Sequence, residues 1–407
     1  MKAIDITDKA MCTGCRACEM LCPAGAIRMI EDEEGFRFPQ VNGDLCIDCG
    51  LCTRRCPQLN TLPESDRLPS PEVFAAYAKD GDTVMSSSSG GLFTVLAEQV
   101  LKEGGVVFGA AYMENFEVCH VCVNRSEDLE KLRRSKYVAS DPGDTFRQVK
   151  QFLTEGRKVL YVGSPCQIAG LKAFLNQNDD NLITIDLICH GTPSFKIFHK
   201  YLGWLSHKLG DDIEKVIFRS KQFKIGHTAV IKTKRGKVYK CNYGNDPYYF
   251  AFHSAQINRE SCYQCRYANP QRIGDLTLGD YWGIETAHPE FASPKGVSLV
   301  LINTTKGSRA FHQTEEKLCF MSSTLEKAAK HNGNLNSPTT RSPARDRCYA
   351  GIDILDDTEF VRRNLGIPIT KKIKAQIKAS VPYAVKAKVK QLMAKDDENE
   401  AGPGCST

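Results

Sequence analysis

Two cysteine runs near the N-terminus constrain the fold of this chain more than any other feature. Each has the spacing C-x2-C-x2-C-x3-C-P, and together they comprise Cys12, Cys15, Cys18, Cys22 and Pro23, then Cys46, Cys49, Cys52, Cys56 and Pro57. A zinc site needs only four thiolates and usually shows two C-x2-C pairs. A disulfide framework is typical of short secreted chains. Two repeated tetrads therefore indicate ligation of larger metal clusters.

The spacing resembles that of bacterial two-cluster ferredoxins. In those proteins three close cysteines bind one 4Fe-4S cluster, and the fourth cysteine of each run ligates the other cluster. The resemblance implies that one cluster is bound by Cys12, Cys15, Cys18 and Cys56. It implies that the other is bound by Cys46, Cys49, Cys52 and Cys22. We therefore expect a protein that transfers single electrons.

Composition favours a metal-binding protein of a reducing compartment. The chain has 407 residues, enough for two or three domains, and it contains 18 cysteines. We find no signal peptide and no apolar run long enough to cross a membrane, so we expect a cytoplasmic protein. The formal net charge of +6 is too small to indicate nucleic-acid binding.

The order of predicted elements gives an α+β module followed by an α/β domain. Residues 1–60 are expected to form the two-cluster ferredoxin fold, with a hairpin around Ile27 to Val41, and the proline-rich segment 61–71 reads as a linker. Residues 72–305 should form an α/β flavin-binding domain with a partly parallel sheet. Beyond it we expect a C-terminal extension over 306–370, a basic amphipathic helix over 371–395 and a disordered tail over 396–407.

A strand–helix–strand pattern places two further cysteines. Cys166 lies at the start of a predicted helix, and Cys189 follows the next buried strand. Because such units are parallel, both cysteines should emerge at the carboxyl edge of one sheet, where α/β folds bind ligands. A C-x2-C pair follows at Cys262 and Cys265. We predict that these four cysteines bind a third 4Fe-4S cluster, with a structural zinc ion as the alternative.

Three features are candidates for a cofactor site. The turn Ser88-Ser89-Gly90-Gly91 precedes a helix that begins at Leu92, and it could present N–H groups and hydroxyls to an anion or act as an ordinary helix cap. Lys136 belongs to a basic stretch that either lies near a cofactor phosphate or faces solvent. Asp280 ends a short strand and either faces a cofactor or forms a turn.

The C-terminal tail combines many lysines with apolar residues near helical spacing, namely Ile373, Ile377, Val381, Val385, Val389 and Leu392. Pro382 should kink such a helix. A basic amphipathic helix can make peripheral contact with an anionic membrane. Packing on the protein itself is the other interpretation.

From about Val73 to Asn303 the chain resembles the family formed by the β-subunits of coenzyme F420 hydrogenases and dehydrogenases. The resemblance rests on Ser88-Ser89-Gly90-Gly91-Leu92-Phe93, Gly163-Ser164-Pro165-Cys166-Gln167, Asp186-Leu187-Ile188-Cys189-His190-Gly191, Cys262-Tyr263-Gln264-Cys265 and Gly279-Asp280-Tyr281-Trp282-Gly283. It implies FAD beside a 4Fe-4S cluster whose ligands are Cys166, Cys189, Cys262 and Cys265. It also implies that the flavin site is lined by Ser88, Ser89, Gly90, Gly91, Lys136 and Asp280.

These features predict an iron–sulfur flavoprotein oxidoreductase. Electrons would pass between a ferredoxin-like partner protein, three 4Fe-4S clusters and FAD, and on to an organic substrate or a deazaflavin such as F420. The alternative is a non-catalytic electron-transfer subunit that feeds a separate enzyme, with a link to surface-polysaccharide biosynthesis. Fold does not fix the substrate. No catalytic residue is assigned, and His190, Tyr281 and Tyr137 are proton-donor candidates by position alone.

Overall fold

The structure, a computed structural model, describes residues 3–5, 8–62, 66–222, 228–373, 381, 385–389 and 391–392. Its strands are β1 (Ile27–Glu31), β2 (Arg37–Val41), β3 (Arg67–Ala78), β4 (Val106–Tyr112), β5 (Val118–Val123), β6 (Val159–Gly163), β7 (Leu182–Leu187), β8 (Ile213–Ile217), β9 (Ala229–Thr233), β10 (Val238–Cys241), β11 (Leu276–Asp280), β12 (Ser298–Thr304) and β13 (Leu318–Ser323). Its helices are α1 (Ala17–Leu21), α2 (Leu51–Arg54), α3 (Gly81–Met85), α4 (Leu92–Lys102), α5 (Thr145–Thr154), α6 (Pro165–Leu175), α7 (Phe195–Leu209), α8 (Pro247–His253), α9 (Ile284–Ala287), α10 (Thr305–His312), α11 (Leu325–Ala329), α12 (Gly333–Asn336), α13 (Arg345–Tyr349) and α14 (Asp357–Asn364). Within these described ranges, no helix has the length and apolar character needed to cross a membrane.

An eight-stranded sheet of order β13-β3-β12-β11-β7-β6-β4-β5 forms the centre of the larger domain. Strands β11, β7, β6 and β4 run parallel, and the outer pairs are antiparallel. Every residue of β6 is buried, as expected for a parallel strand with helices on both faces. The predicted α/β class with a partly parallel sheet is therefore confirmed.

Helices cover both faces of this sheet because successive residues of its strands place apolar side chains on opposite faces. On β4, Val107 packs with residues of α4 and α10. Its neighbours Val106 and Phe108 point to the other face and pack with α5 and α6. The loops at the carboxyl ends of β6 and β7 are thereby fixed between two packed layers.

The N-terminal module, residues 8–62, consists of the β1–β2 hairpin and the short helices α1 and α2. Ion pairs attach it to the larger domain. Arg16 donates to Asp141 at 2.8 Å, Arg37 donates to Glu117 at 2.7 Å, and buried Arg345 bonds a carboxylate of the hairpin turn. The module is therefore docked on the larger domain.

The predicted linker 61–71 is too long, since strand β3 already begins at Arg67. Two of its three prolines, Pro69 and Pro71, fall in the strand. They are tolerated because β13 pairs with β3 only from Val73 onward and the register to β12 shifts nearby. Residues 67–71 thus belong to the central sheet.

A second, three-stranded antiparallel sheet of β8, β9 and β10 packs with α7, α8 and α14 around an aromatic cluster. The C-terminal extension contains β13 and most of the helices from α10 to α14. Of the predicted helix over 371–395, residues 371–373, 385–389 and 391–392 are helical. Its other positions, except Val381, and the predicted tail 396–407 lie outside the described residues.

Candidate iron–sulfur and cofactor site

The first cysteine group lies where the N-terminal module meets the larger domain. Burial, together with the charges of Cys12 and Cys56, raises the pKa of Cys15 to about 12. Burial and the same neighbours raise the pKa of Cys18. The backbone N–H of Gly14 donates to the Cys12 thiol at 3.4 Å. The structure thus brings together the four residues that the sequence groups, Cys12, Cys15, Cys18 and Cys56.

The second cysteine group lies at the outer end of the module. One small cavity of about 20 Å³ is lined by Cys22, Cys46, Cys49 and Cys52. The N–H groups of Ala26 and Ile4 donate to Cys22 and Cys52, each at 3.3 Å. The fourth cysteine of each run therefore sits with the other run's three cysteines.

The third group forms at the carboxyl edge of the parallel strands. Cys166 stands in the first turn of α6, which Ser164 and Gln167 cap, and Cys189 follows β7. Burial, together with the charges of Cys265, Cys189 and Cys262, raises the pKa of Cys166 well above its usual value. Burial therefore opposes the thiolate form of Cys166, and a bound metal centre would supply the positive charge that favours it.

Backbone donors surround this third group as they do the first two. The N–H of Gly191 donates to the Cys189 thiol at 3.4 Å, and Arg272 lowers the pKa of that thiol against the dominant effect of burial. Among the described residues, no three or more His, Cys, Asp or Glu side chains converge closely enough to hold a single metal ion. A 4Fe-4S cluster is larger, because each thiolate binds a different iron. The all-thiolate donor sets and their N–H partners fit such clusters.

A cavity of about 1370 Å³ adjoins the third group. Small-molecule pockets usually measure about 300–1,000 Å³, so it can hold a ligand of dinucleotide size. The cavity wall includes Cys166 and Cys189 and the predicted site residues Ser88, Ser89, Gly91, Lys136 and Asp280. It also includes Val381, Lys386 and Val389 of the C-terminal segment. These described parts of the tail therefore lie against the protein.

The serine–glycine turn opens α4 as predicted, but its glycines serve packing. The N–H of Gly90 donates to the hydroxyl of Ser298 at 2.9 Å, and a Cβ at Gly90 would lie 2.4 Å from the carbonyl oxygen of Ala76. Gly91 is the N-cap of α4 with φ of 93°, a left-handed conformation that suits glycine. Gly90 thus fits the turn against the sheet and does not line the cavity.

Two buried cations that the sequence analysis missed hold this turn. Arg219 donates to the Asp280 carboxylate at 2.7 Å and to the Ser88 carbonyl at 3.3 Å. Lys221 donates to the Ser89 carbonyl at 2.6 Å, and burial lowers its pKa to about 8. Both cations follow β8 without a recognisable motif, and only the tertiary fold brings them to the cavity.

Lys136 lines the cavity, yet its ammonium is directed elsewhere. It donates to the carbonyls of Lys131, Arg133 and Arg134 at 2.7–3.2 Å, and burial followed by the charge of Arg134 lowers its pKa to about 7. Lys136 therefore shapes the basic loop. Through Ser135, whose hydroxyl lies 3.0 Å from that of Ser88, this loop joins the serine–glycine turn.

The three proton-donor candidates all border the cavity, and the structure does not single one out. His190 contacts the carbonyl of Phe252 at 3.2 Å, and burial lowers its pKa. The Tyr281 hydroxyl lies 2.5 Å from that of Ser323, and Tyr137 stacks on Phe252 with ring centroids 4.3 Å apart.

His120 is a further cavity residue that the sequence did not indicate. Its Nε2 lies 3.0 Å from the Val162 carbonyl and its Nδ1 3.2 Å from the Ser140 hydroxyl. Burial lowers the pKa of His120 to about 4, so it is neutral near pH 7. It lies in the cavity wall as a neutral hydrogen-bonding group.

Two curated relatives match more than three quarters of this chain. One subunit of the F(420)H(2) dehydrogenase of Methanosarcina mazei is 25% identical over 79% of this chain and 87% of its own length. Coenzyme F420-dependent sulfite reductase of Methanocaldococcus jannaschii is 25% identical over 78% of this chain, but the chain spans only 48% of that protein. A solved chain of the F420-reducing NiFe hydrogenase complex from Methanosarcina barkeri has a TM-score of 0.44 and 18% identity, covering 77% of this chain and 94% of that one.

Family models cover both parts of the chain. A 4Fe-4S dicluster domain matches residues 11–62. The N-terminal model of the coenzyme F420 hydrogenase/dehydrogenase beta subunit matches residues 73–144, and the C-terminal model of the same family matches residues 156–328. The chain therefore belongs to the family of coenzyme F420 hydrogenase/dehydrogenase beta subunits and carries an N-terminal 4Fe-4S dicluster domain.

Proposed function

We propose that this protein is an iron–sulfur flavoprotein oxidoreductase with three 4Fe-4S clusters and one FAD. The observation that carries the proposal is the shared wall between the third cysteine group and the large cavity. Cys166 and Cys189 belong to both. A cofactor in this cavity would lie directly beside the third cluster, as electron exchange between the two requires.

The cavity offers the groups that a phosphate-bearing flavin needs. The serine–glycine turn and the basic loop present hydroxyls, backbone N–H groups and the cations Arg133 and Arg134 to the same space. Arg219 and Lys221 hold the carbonyls of Ser88 and Ser89 from within the cavity wall, so the turn is positioned before a ligand binds. FAD bound there would exchange single electrons with a cluster and electron pairs with a substrate.

The substrate is an organic molecule or a deazaflavin of the F420 type. The relatives named for F420 support this class, and the cavity has space beyond that of one small ligand. A partner protein is part of the proposal, because one of these relatives is named as a subunit. That name equally favours the second candidate, an electron-transfer subunit that feeds a separate enzyme.

Anaerobic purification with quantitation of iron, zinc and flavin on one sample tests the proposal. We expect about twelve irons and one FAD per chain, from three 4Fe-4S clusters. Cys166→Ser should reduce the iron to about eight, as expected for the loss of one cluster. Cys119→Ser, in β5 and outside the three groups, is the matched control and should leave the iron unchanged.

About eight irons with one zinc and no flavin would contradict the proposed flavoenzyme. It would leave the protein as an electron-transfer subunit with a structural zinc site. If flavin and iron are present as expected, reduction of the bound flavin by reduced F420 or by a reduced ferredoxin distinguishes the two donor classes.

A further inference from the structure

One helix connects the first and third cysteine groups. A Cβ built at Gly170, in the middle of α6, would lie 2.8 Å from the Cys15 Cβ and 3.1 Å from its thiol. Cys166 stands one turn earlier on the same helix, on the same face. The first cysteine group is therefore the neighbour of the third.

Tyr267 fills the space between the same two groups. Its hydroxyl donates to the carbonyl of Pro57 at 3.1 Å and accepts from the Gln58 amide at 3.1 Å, directly after the last cysteine of the second run. Its backbone N–H lies near the thiol of Cys265 and lowers the pKa of that thiol against the larger effect of burial. The side chain is 9% exposed, and its electrostatic neighbours come from both groups, namely Cys15, Cys166 and Cys265.

Other contacts hold the two domains together independently of Tyr267. Arg259 donates to the Cys12 carbonyl at 2.7 Å, and Arg266 donates to the carbonyls of Pro57 and Gln58 at 3.0 Å. Arg147 of α5 donates to a carbonyl of α1 at 2.9 Å. A substitution of Tyr267 can therefore remove the contact without releasing the module.

We propose that Tyr267 is the positioning residue that carries electronic coupling between the first and third cysteine groups, an inference that rests on the proposed iron–sulfur function. Tyr267 follows Cys265, a ligand of one group, by two residues, and its hydroxyl contacts Pro57, the residue bonded to a ligand of the other group. One electron passes in the step, which oxidises one cluster and reduces the other, and the tyrosine keeps its proton. The second group, where Cys49 is exposed, is then the outer terminus of the path.

The test compares Tyr267→Leu and Tyr267→Phe in the holoprotein with the same substitutions at Tyr263. Tyr263 lies on the same loop, but its hydroxyl donates within its own domain, to Ala255 at 2.7 Å. A flash-activated ruthenium dye supplies one electron per molecule, and freeze-quench EPR follows its arrival at the third cluster. A Cys166→Ser sample identifies the signal of that cluster. Iron content and the spin–spin interaction of the fully reduced clusters are measured on every variant.

For Tyr267→Leu we expect unchanged iron and an unchanged spin–spin interaction, with transfer slowed roughly tenfold, which corresponds to about 1.4 kcal/mol. Tyr267→Phe should slow transfer less, because the ring remains. The variants at Tyr263 should transfer at the wild-type rate. Slow transfer at constant cluster spacing is a result that a purely structural role would not produce.

Three results would overturn the proposal: a wild-type rate in Tyr267→Leu, equal slowing in Tyr263→Leu, or slowing that accompanies loss of iron or of the spin–spin interaction. The outcome is separable from the proposed flavoenzyme. Slowed transfer in a protein without flavin retains the role of Tyr267 and refutes FAD binding. An unchanged rate in a protein that contains flavin refutes the role of Tyr267 and leaves the proposed FAD binding intact.

Discussion

The buried ion pair between Arg272 and Asp186 gives the sharpest test of how the third cysteine group is held. Their side chains are 1% and 0% exposed, and Arg272 Nη2 lies 3.1 Å from Asp186 Oδ1. Arg272 also donates to the carbonyls of Tyr267 at 2.6 Å and Leu187 at 2.9 Å. It thereby ties the loop that follows Cys265 to the end of β7, the strand that leads into Cys189.

Arg272→Met removes the charge and keeps most of the side-chain volume. It leaves the Asp186 carboxylate buried with only the N–H groups of Ile273 and Gly274, each at 3.0 Å. Breaking one side of a buried pair costs about 3–5 kcal/mol. At about 2–4 °C per kcal/mol for a domain of this size, the unfolding temperature should fall by roughly 6–20 °C. The iron content should fall toward about eight on mild heating, as the third cluster is lost first.

Anaerobic thermal unfolding at one scan rate, with iron quantitation before and after heating, measures both effects. Arg341→Met is the matched control, because that arginine is 39% exposed in its pair with Glu260 and such pairs contribute about 0–1 kcal/mol. The double variant Arg272→Met, Asp186→Asn should recover much of the loss, since it removes the unpaired charge and keeps an acceptor. An Arg272→Met protein as stable as the control, or a double variant no better than the single one, would refute this reasoning.

Three further predictions concern the cavity and the aromatic cluster. Gly90→Ala should abolish flavin retention, because the added Cβ would lie 2.4 Å from a backbone oxygen. Gly81→Ala is the control and should retain flavin, because nothing lies within 4 Å of its Cβ; the flavin-to-protein ratio of the purified variants measures both. Arg219→Gln should weaken flavin binding by roughly 10- to 100-fold in equilibrium titration, since hydrogen bonds of charged groups contribute about 1.5–3 kcal/mol. Lys79→Gln removes an exposed contact with a backbone carbonyl and should leave flavin binding unchanged. Burial raises the pKa of Asp246 from 3.8 to about 6. The protonated carboxyl therefore contributes stability that is fully present below pH 3.8 and is lost as the pH rises through about 6. Asp246→Asn should remove this part of the pH dependence of the free energy of unfolding.

Much of the site could be predicted because cysteine spacing and strand order are local properties. Cys166 and Cys189 each follow a buried strand, and the rule that βαβ units are parallel places both at one edge without further knowledge. The pair at Cys262 and Cys265 could be assigned to the same site only because a 4Fe-4S cluster needs four cysteine ligands. No local pattern specifies that Arg272, some seven residues beyond that pair, holds it against β7.

Besides His120, the residues that sequence reasoning missed are two cations whose role depends on distant backbone. Arg219 and Lys221 act on the carbonyls of Ser88 and Ser89, which lie more than 130 positions away in the sequence. Lys136 shows the converse case: its basic stretch left a cofactor phosphate and solvent as alternatives, yet its ammonium binds carbonyls of its own loop. The hydrogen-bond acceptor of a lysine or arginine cannot be predicted from the sequence around it, because the tertiary fold determines which acceptor lies nearby.

The same limitation applies to two arginines, Arg259 and Arg272, that lie beside the thiols of the third group. Each thiol of that group is buried, which opposes its ionised form. Arg259 lowers the pKa of Cys262, and Arg272 lowers the pKa of Cys189 and Cys265, against the larger effect of burial. Fixed positive charge beside buried thiolates favours a reduced cluster, because reduction adds a negative charge. In the proposed third cluster, the arginines that connect this group to the module and to β7 would therefore favour the reduced form.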